Sequence, residues 1–151
     1  MAKPYVPPRR KPKSDDEYFE ILTQGVFFCG FSWDLVRKKW PAFRRAFFDF
    51  QIPAVANFSK LDIERLLDDP SIIRNRRKIE ATIHNAKAFI EIIDEFGSVH
   101  SYLRHFKPWH YGTVVKDMMR RFRHVGPTAC FYFLYSVGEK VPSWQERKKL
   151  D

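Results

Sequence analysis

The chain is poor in cysteine, in long apolar runs and in any alternating pattern, and each shortage narrows the choice. Only two cysteines occur in 151 residues, so no disulfide framework holds the fold together. Cys29 and Cys130 each sit in apolar sequence, which predicts two buried free thiols. No apolar stretch approaches the ~20 residues that a membrane helix needs, and no basic-then-apolar leader opens the chain. The expectation is a soluble, cytoplasmic monomer without a membrane. Nothing alternates with the period of a strand, and no internal repeat is visible.

What is present is aromatic and basic. Aromatics reach 17%, with 15 Phe among them, and the length is that of one domain. Lys plus Arg number 27 against 18 Asp plus Glu, a net +9. That surplus suits a polyanionic partner through counterion release, and it equally suits simple solubility. Residues 1–13 hold Lys3, Arg9, Arg10, Lys11 and Lys13 without an acid, among four prolines. They read as a disordered or extended basic arm ahead of a helical body at 14–142, with 143–151 as a tail.

Helical signals run through the body. Ser14 with Glu17 is a capping box, and Phe19, Leu22 and Val26 follow at helical spacing up to Gly30. A second helix starts at Ser32 or Trp33, with Pro41 expected to interrupt it. Ile52–Phe58 is a short turn of helix, and Ser59 caps another that ends before Pro70. Ile72, Ile79, Ile83, Ala86, Ile90 and Ile93 form one apolar stripe, closed by Gly97. Val115, Met118, Met119 and Phe122 mark a later amphipathic helix, and residues 128–137, apolar on nearly every side, mark a buried one. The fold class is therefore all-α, an irregular helical bundle.

The last two helices form a hairpin at about 113–137, joined through Arg123-His124-Val125-Gly126-Pro127-Thr128. Gly126 permits a tight turn and Pro127 suits the first helical position, so the amides of Val125, Gly126 and Thr128 face outward. A helix N-terminus of this kind is an anion site, and Lys116, Arg120, Arg121 and Arg123 flank it. It fits a DNA phosphate, although an ordinary helix connection has the same turn chemistry.

The stretch Phe122–Val137 is similar to the hairpin segment of the DNA-3-methyladenine glycosylase I family, within the helix-hairpin-helix DNA glycosylase superfamily. Asp69–Ala81 with Asn85-Ala86-Lys87-Ala88, Tyr18-Phe19-Glu20 and Gly30-Phe31-Ser32-Trp33 resemble three further blocks of that family, in its order. The resemblance spans about residues 14–138. It implies a base-excision repair enzyme for double-stranded DNA, which flips an alkylated base into an aromatic pocket and hydrolyses its N-glycosidic bond. On the same resemblance Trp33 stacks on the base with Phe27 and Phe28 nearby, and Phe31 is the wedge that fills the vacated stack. A core role for Trp33 is the alternative.

Three departures accompany the likeness. Aligned on Trp33, the family's pocket glutamate falls at Gly25, with Gln24 one step away as a substitute hydrogen-bonding group. The family's zinc ligands are Cys and His near both termini. This chain has no Cys there, and its five His show no ligand spacing, so neither metal nor cofactor is expected. The family's N-terminal pocket segment is replaced by the basic arm, where Tyr5 is the one nearby aromatic. Candidate catalytic residues are accordingly Gln24, Glu20 and Asp34, the two acids as stabilisers of charge developing on the sugar. Glu146 lies at the distance of the wider superfamily's aspartate, without a motif to anchor it. His84 and Asn85 are read as structural, Asn85 bonding a neighbouring loop. The run Arg74-Asn75-Arg76-Arg77-Lys78 is either a solvated helix start or a phosphate-contacting patch. The competing reading of the whole chain is a non-catalytic DNA-binding protein that has lost glycosylase activity.

Overall fold

A computed structural model describes residues 8–30 and 32–149. Eight α-helices run in order among the described residues: α1 (Asp15–Phe28), α2 (Trp33–Ala46), α3 (Ile52–Ala56), α4 (Lys60–Leu67), α5 (Arg76–Phe96), α6 (Val99–Arg104), α7 (Tyr111–Arg121) and α8 (Pro127–Ser136). No strand accompanies them among those residues, in line with the all-α expectation. None of these helices is long and apolar enough to cross a membrane.

The start of α1 organises three helices at once. Ser14 Oγ accepts from the Glu17 amide at 3.2 Å, as the capping box predicts. Asp15 Oδ1 accepts from the Val99 amide at 2.9 Å, and Asp16 Oδ1 accepts from the Ile52 amide at 3.0 Å. One acidic turn thus satisfies orphan donors at the starts of α6 and α3 as well as suiting its own dipole. Further along, Phe19 sits edge-on to Phe50 at 5.9 Å and to Phe89 at 5.7 Å, in the middle of the core. α1 lies between α5 and α8, and α5 packs on α3 with its other flank.

Several local expectations change. Pro41 does not interrupt α2, which continues through it to Ala46. Pro41 is exposed, so the backbone bond it cannot donate is missed on the solvent side. The chain then turns through Phe48, Asp49 and Phe50 at φ of 50°, 55° and 55°, a left-handed stretch without glycine. Aromatic packing holds it, with Trp40 and Phe50 stacked at 5.1 Å and 3° between planes. Ile72 precedes α5, which starts after the Asn75 cap. Phe89 and Ile92 are enclosed while Ile90 and Ile93 are half-buried, because α5 is packed on more than one flank.

The described residues near both ends fold back onto the body. The described part of the arm is docked on α8: Arg9 donates to the Tyr135 carbonyl at 2.8 Å and the Glu139 carbonyl at 2.7 Å, with its guanidinium over the Tyr135 ring. Arg10 pairs with Glu17 at 2.6 Å, and its amide donates to the Ser136 carbonyl. Arg9 and Arg10 of the described arm are therefore engaged by the protein. At the other end, Trp144–Glu146 forms a 3₁₀ turn against α8, where Trp144 meets Phe131 at 5.3 Å. Cys29 is exposed, against expectation, because α1 ends one residue before it. Cys130 is buried as predicted, and burial pushes its thiol up to about 12.

Candidate nucleic-acid interface and base cleft

The hairpin is built by α7, residues 122–126 and α8. Gly126 is the N-cap at φ −96° and Pro127 takes the first helical position. Cys130 is the first residue to donate within the helix, to the Gly126 carbonyl at 3.0 Å, so the amides ahead of it have no partner in the helix ladder. Gly126 is not what makes the turn, because the left-handed residue is His124 at φ 56°. Gly126 has no steric need of its own either, since a Cβ placed there would meet nothing within 4 Å. The open space lies where an outside group would approach the backbone.

Side chains of α5 fix the loop. Asn85 is buried on α5, accepts from the Arg123 amide at 2.8 Å and donates to the Arg123 carbonyl at 3.1 Å. His84 adds a ring contact with the Arg121 carbonyl at 3.2 Å. Asn85 thus bonds a neighbouring loop as its place in the sequence suggests.

The four hairpin cations separate. Lys116, Arg120 and Arg123 are exposed, with Arg120 paired to Asp117. Arg121 turns inward, pairing with Asp117 at 2.8 Å and Glu95 at 3.6 Å, with its guanidinium over Tyr102 and Phe96. It is a structural cation rather than one aimed at solvent. Burial alone would raise Asp117, but hydrogen bonds from Tyr102, Arg121 and Arg120 hold its carboxyl below the usual range. The sequence reading missed Arg147, whose Nε donates to Thr128 Oγ1 at 3.3 Å, one residue into α8. That brings a further cation beside the helix start, through a fold-back of the assigned tail that no local signal encodes.

The cleft lies between α1, α2 and α8 and holds about 310 Å³. Glu17, Glu20, Gln24 and Phe28 line it from α1, Trp40 from α2 and Tyr132 from α8. Spacings of three and four residues along α1 bring its contributors onto one face. Phe28 is at the wall as expected, whereas Phe27 is fully enclosed edge-on to Phe43 at 4.7 Å, in the core rather than the cleft. Trp33 is half-buried, its ring 3.6 Å from Phe28 and 5.0 Å from Tyr132 between centroids. Trp33 is not among the described residues that line the cleft; it packs against Phe28 and Tyr132, which do. Phe31 and Tyr5 lie outside the described residues.

The acids of the cleft are engaged. Glu20 accepts from Trp40 Nε1 at 2.8 Å and from Arg44 at 2.8 Å, and Glu17 faces Arg10. Asp34 is exposed and paired with Arg37. Gln24 Oε1 accepts from the Tyr132 hydroxyl at 2.9 Å. Gly25 lies directly under that ring: a Cβ there would stand 3.1 Å from Tyr132 Cδ1 and 3.5 Å from the Ala129 carbonyl oxygen. Tyr132 fills the volume into which a side chain at position 25 would grow. Glu146 lines a separate groove of about 440 Å³ with Trp109, Tyr111 and Pro142. The donors of the family's zinc site do not fit this chain. Cys29 and Cys130 lie in the interior of the sequence, and no cluster of three or more His, Cys, Asp or Glu is placed for a metal among the described residues.

A helical body that seats a hairpin with an open helix start beside an aromatic cleft has the architecture of a helix-hairpin-helix DNA glycosylase. The methyladenine glycosylase family model matches residues 10–114, ending within α7. The DNA-3-methyladenine glycosylase 1 of Escherichia coli (strain K12) is 30% identical over 148 residues, covering 84% of this chain and 79% of the relative. The DNA-3-methyladenine glycosylase of Haemophilus influenzae is 29% identical over 156 residues, covering 85% and 80%. The 3-methyladenine DNA glycosylase I of Staphylococcus aureus superposes with a TM-score of 0.77 at 26% identity, over 85% of this chain and 79% of that one. A tyrosine variant of such an enzyme, in complex with 3-methyladenine, gives 0.78 at 26% identity, over 89% and 82%. This chain belongs to the methyladenine glycosylase family.

Proposed function

We propose that the protein is a DNA repair glycosylase that binds double-stranded DNA through the α7–α8 hairpin and hydrolyses the N-glycosidic bond of an alkylated base. It acts as a monomer in the cytoplasm. The observation that carries the DNA half is Gly126, a glycine that neither its φ nor its neighbours require, at the open start of α8. Amides of Val125, Gly126 and Thr128 take a phosphate, and Lys116, Arg120 and Arg123 supply charge around it, with Arg147 beside Thr128. The family's lesion base carries a positive charge, so its bond to C1′ is already weakened. Water adds to C1′ and gives up a proton to solvent, while the bonding electron pair leaves with the base and neutralises it, and an aromatic cleft that holds the leaving base favours that step. Phe28 and Tyr132 are the cleft-lining rings for it, with Trp33 packed against both as support and Gln24 at the base edge.

A second reading, DNA binding without excision, is favoured by one observation. The ring of Tyr132 fills the space beside Gly25, while Glu17 and Glu20 are already tied to arginines.

The hairpin assignment has a direct test in Gly126→Asp. It places a negative charge at the helix start with room for the side chain, so the melting temperature should stay within a few degrees while duplex affinity falls at least tenfold. Lys116→Glu with Arg120→Glu should weaken damaged and undamaged duplexes alike. Unchanged affinity in both variants, measured by fluorescence anisotropy at low salt, would remove the hairpin from the interface.

A further inference from the structure

The basic run ahead of α5 divides in the structure. Lys78 points inward and is 7% exposed, its Nζ donating to the Cys29 and Phe27 carbonyls. It closes the C-terminus of α1, where carbonyls lack helical partners and the dipole is negative. Asn75 is the α5 cap, accepting from the Lys78 amide at 3.0 Å. Arg76 pairs with Glu80 at 3.4 Å. Arg74 and Arg77 are both exposed, and neither forms an ion pair among the described residues. A cation in the first turn opposes the helix dipole, so α5 itself gains nothing from Arg77.

The position of Arg77 on α5 ties it to the hairpin. Arg77, Ala81 and His84 are related by four and then three residues, so they share one face of the helix. His84 and its neighbour Asn85 are the two residues that hold the hairpin loop. Seven residues at 1.5 Å each put Arg77 about 10 Å along α5 from that loop. That offset exceeds the advance of about 3.4 Å per nucleotide of one strand, so Arg77 meets a different phosphate from the hairpin. Lys78 meanwhile fastens the end of α1, and with it the Gly30 turn, to the same end of α5.

We propose that Arg77, together with Arg74, is a second phosphate-binding contact, which takes the DNA backbone at a phosphate other than the one held at the start of α8. The proposal rests on the DNA-binding reading above. α5 is then the ruler of the interface, with the Gly30 turn and Arg77 at one end and the hairpin about two helical turns further on.

The test uses the full chain and a short undamaged duplex. Arg74→Ala with Arg77→Ala should flatten the slope of log affinity against log salt by about 1.8, two contacts at about 0.9 each, and Arg77→Lys should restore half or more of the loss. Neutral methylphosphonate linkages placed one at a time should weaken the wild type in two separate windows. Arg77→Ala should abolish one window and leave the window that Gly126→Asp abolishes. An unchanged slope with both windows intact overturns the second contact and leaves the hairpin reading standing. If the wild type fails to bind the duplex at low salt, both readings fall together.

Discussion

Replacing Asn85 with alanine should destabilise the protein by roughly 2–4 kcal/mol, a large effect for a residue outside the aromatic core. The side chain is 1% exposed and makes both of its hydrogen bonds to one residue, Arg123, at 2.8 and 3.1 Å. Its removal leaves a backbone donor and acceptor without partners in a half-buried place, each at a cost of about 1–3 kcal/mol where water cannot reach. The neighbouring His124 holds a left-handed φ of 56°, which a loosened loop would relax. DNA affinity should therefore fall with stability, and more in the variant's folded state than Lys116→Glu alone produces. Chemical denaturation and anisotropy measure the two losses. A shift below about 0.5 kcal/mol would mean that the loop is held by something other than Asn85.

Gly25→Glu should fail to restore the family's pocket carboxylate and should cost about 1–3 kcal/mol. The first added atom already comes within 3.1 Å of Tyr132 Cδ1. That ring is held against Trp33 and Phe28 with its hydroxyl bonded to Gln24, so a side chain at position 25 must push it out of these contacts toward the cleft. A glycine inside a helix is otherwise worth replacing by about 0.8–1 kcal/mol, so the sign of the effect reports on the ring. Tyr132→Ala alone should cost about 3 kcal/mol or more through its cavity. In that background Gly25→Glu should turn neutral or favourable, a coupling of at least about 1 kcal/mol between two residues far apart in sequence. Additive effects in the double-mutant cycle would show that the two positions are not a matched pair.

Much of the fold was legible because its signals are local. Ser14, Ser59 and Gly97 mark helix ends by their own chemistry, and periodicity identified α5 and α8. Pro41 misled because a proline breaks a helix only where its missing bond matters, and exposure removes that cost. The left-handed Phe48–Phe50 turn was invisible since distant stacking on Trp40 enforces it against local preference. The site divides in the same way. Asn85 bonds the loop that its place suggested, whereas Gly126 caps α8 and His124 makes the turn; the family's motifs supplied Phe28 and Trp33. Arg121 and Phe27 were misplaced because periodicity gives a face and not the neighbour across it. Arg147 and Tyr132 could not be seen at all, since each reaches its position through contacts over 19 and 108 residues.

The central claim is that this cleft releases an alkylated base from DNA. The direct measurement is chromatography of bases freed from methylated duplex DNA by the purified full chain, with Trp33→Ala alongside. The wild type should release 3-methyladenine in proportion to enzyme and time, and Trp33→Ala should release it at least tenfold more slowly while binding undamaged duplex equally well. No release by the wild type, under conditions where it binds that same DNA, would contradict the glycosylase assignment and leave the non-catalytic reading in its place.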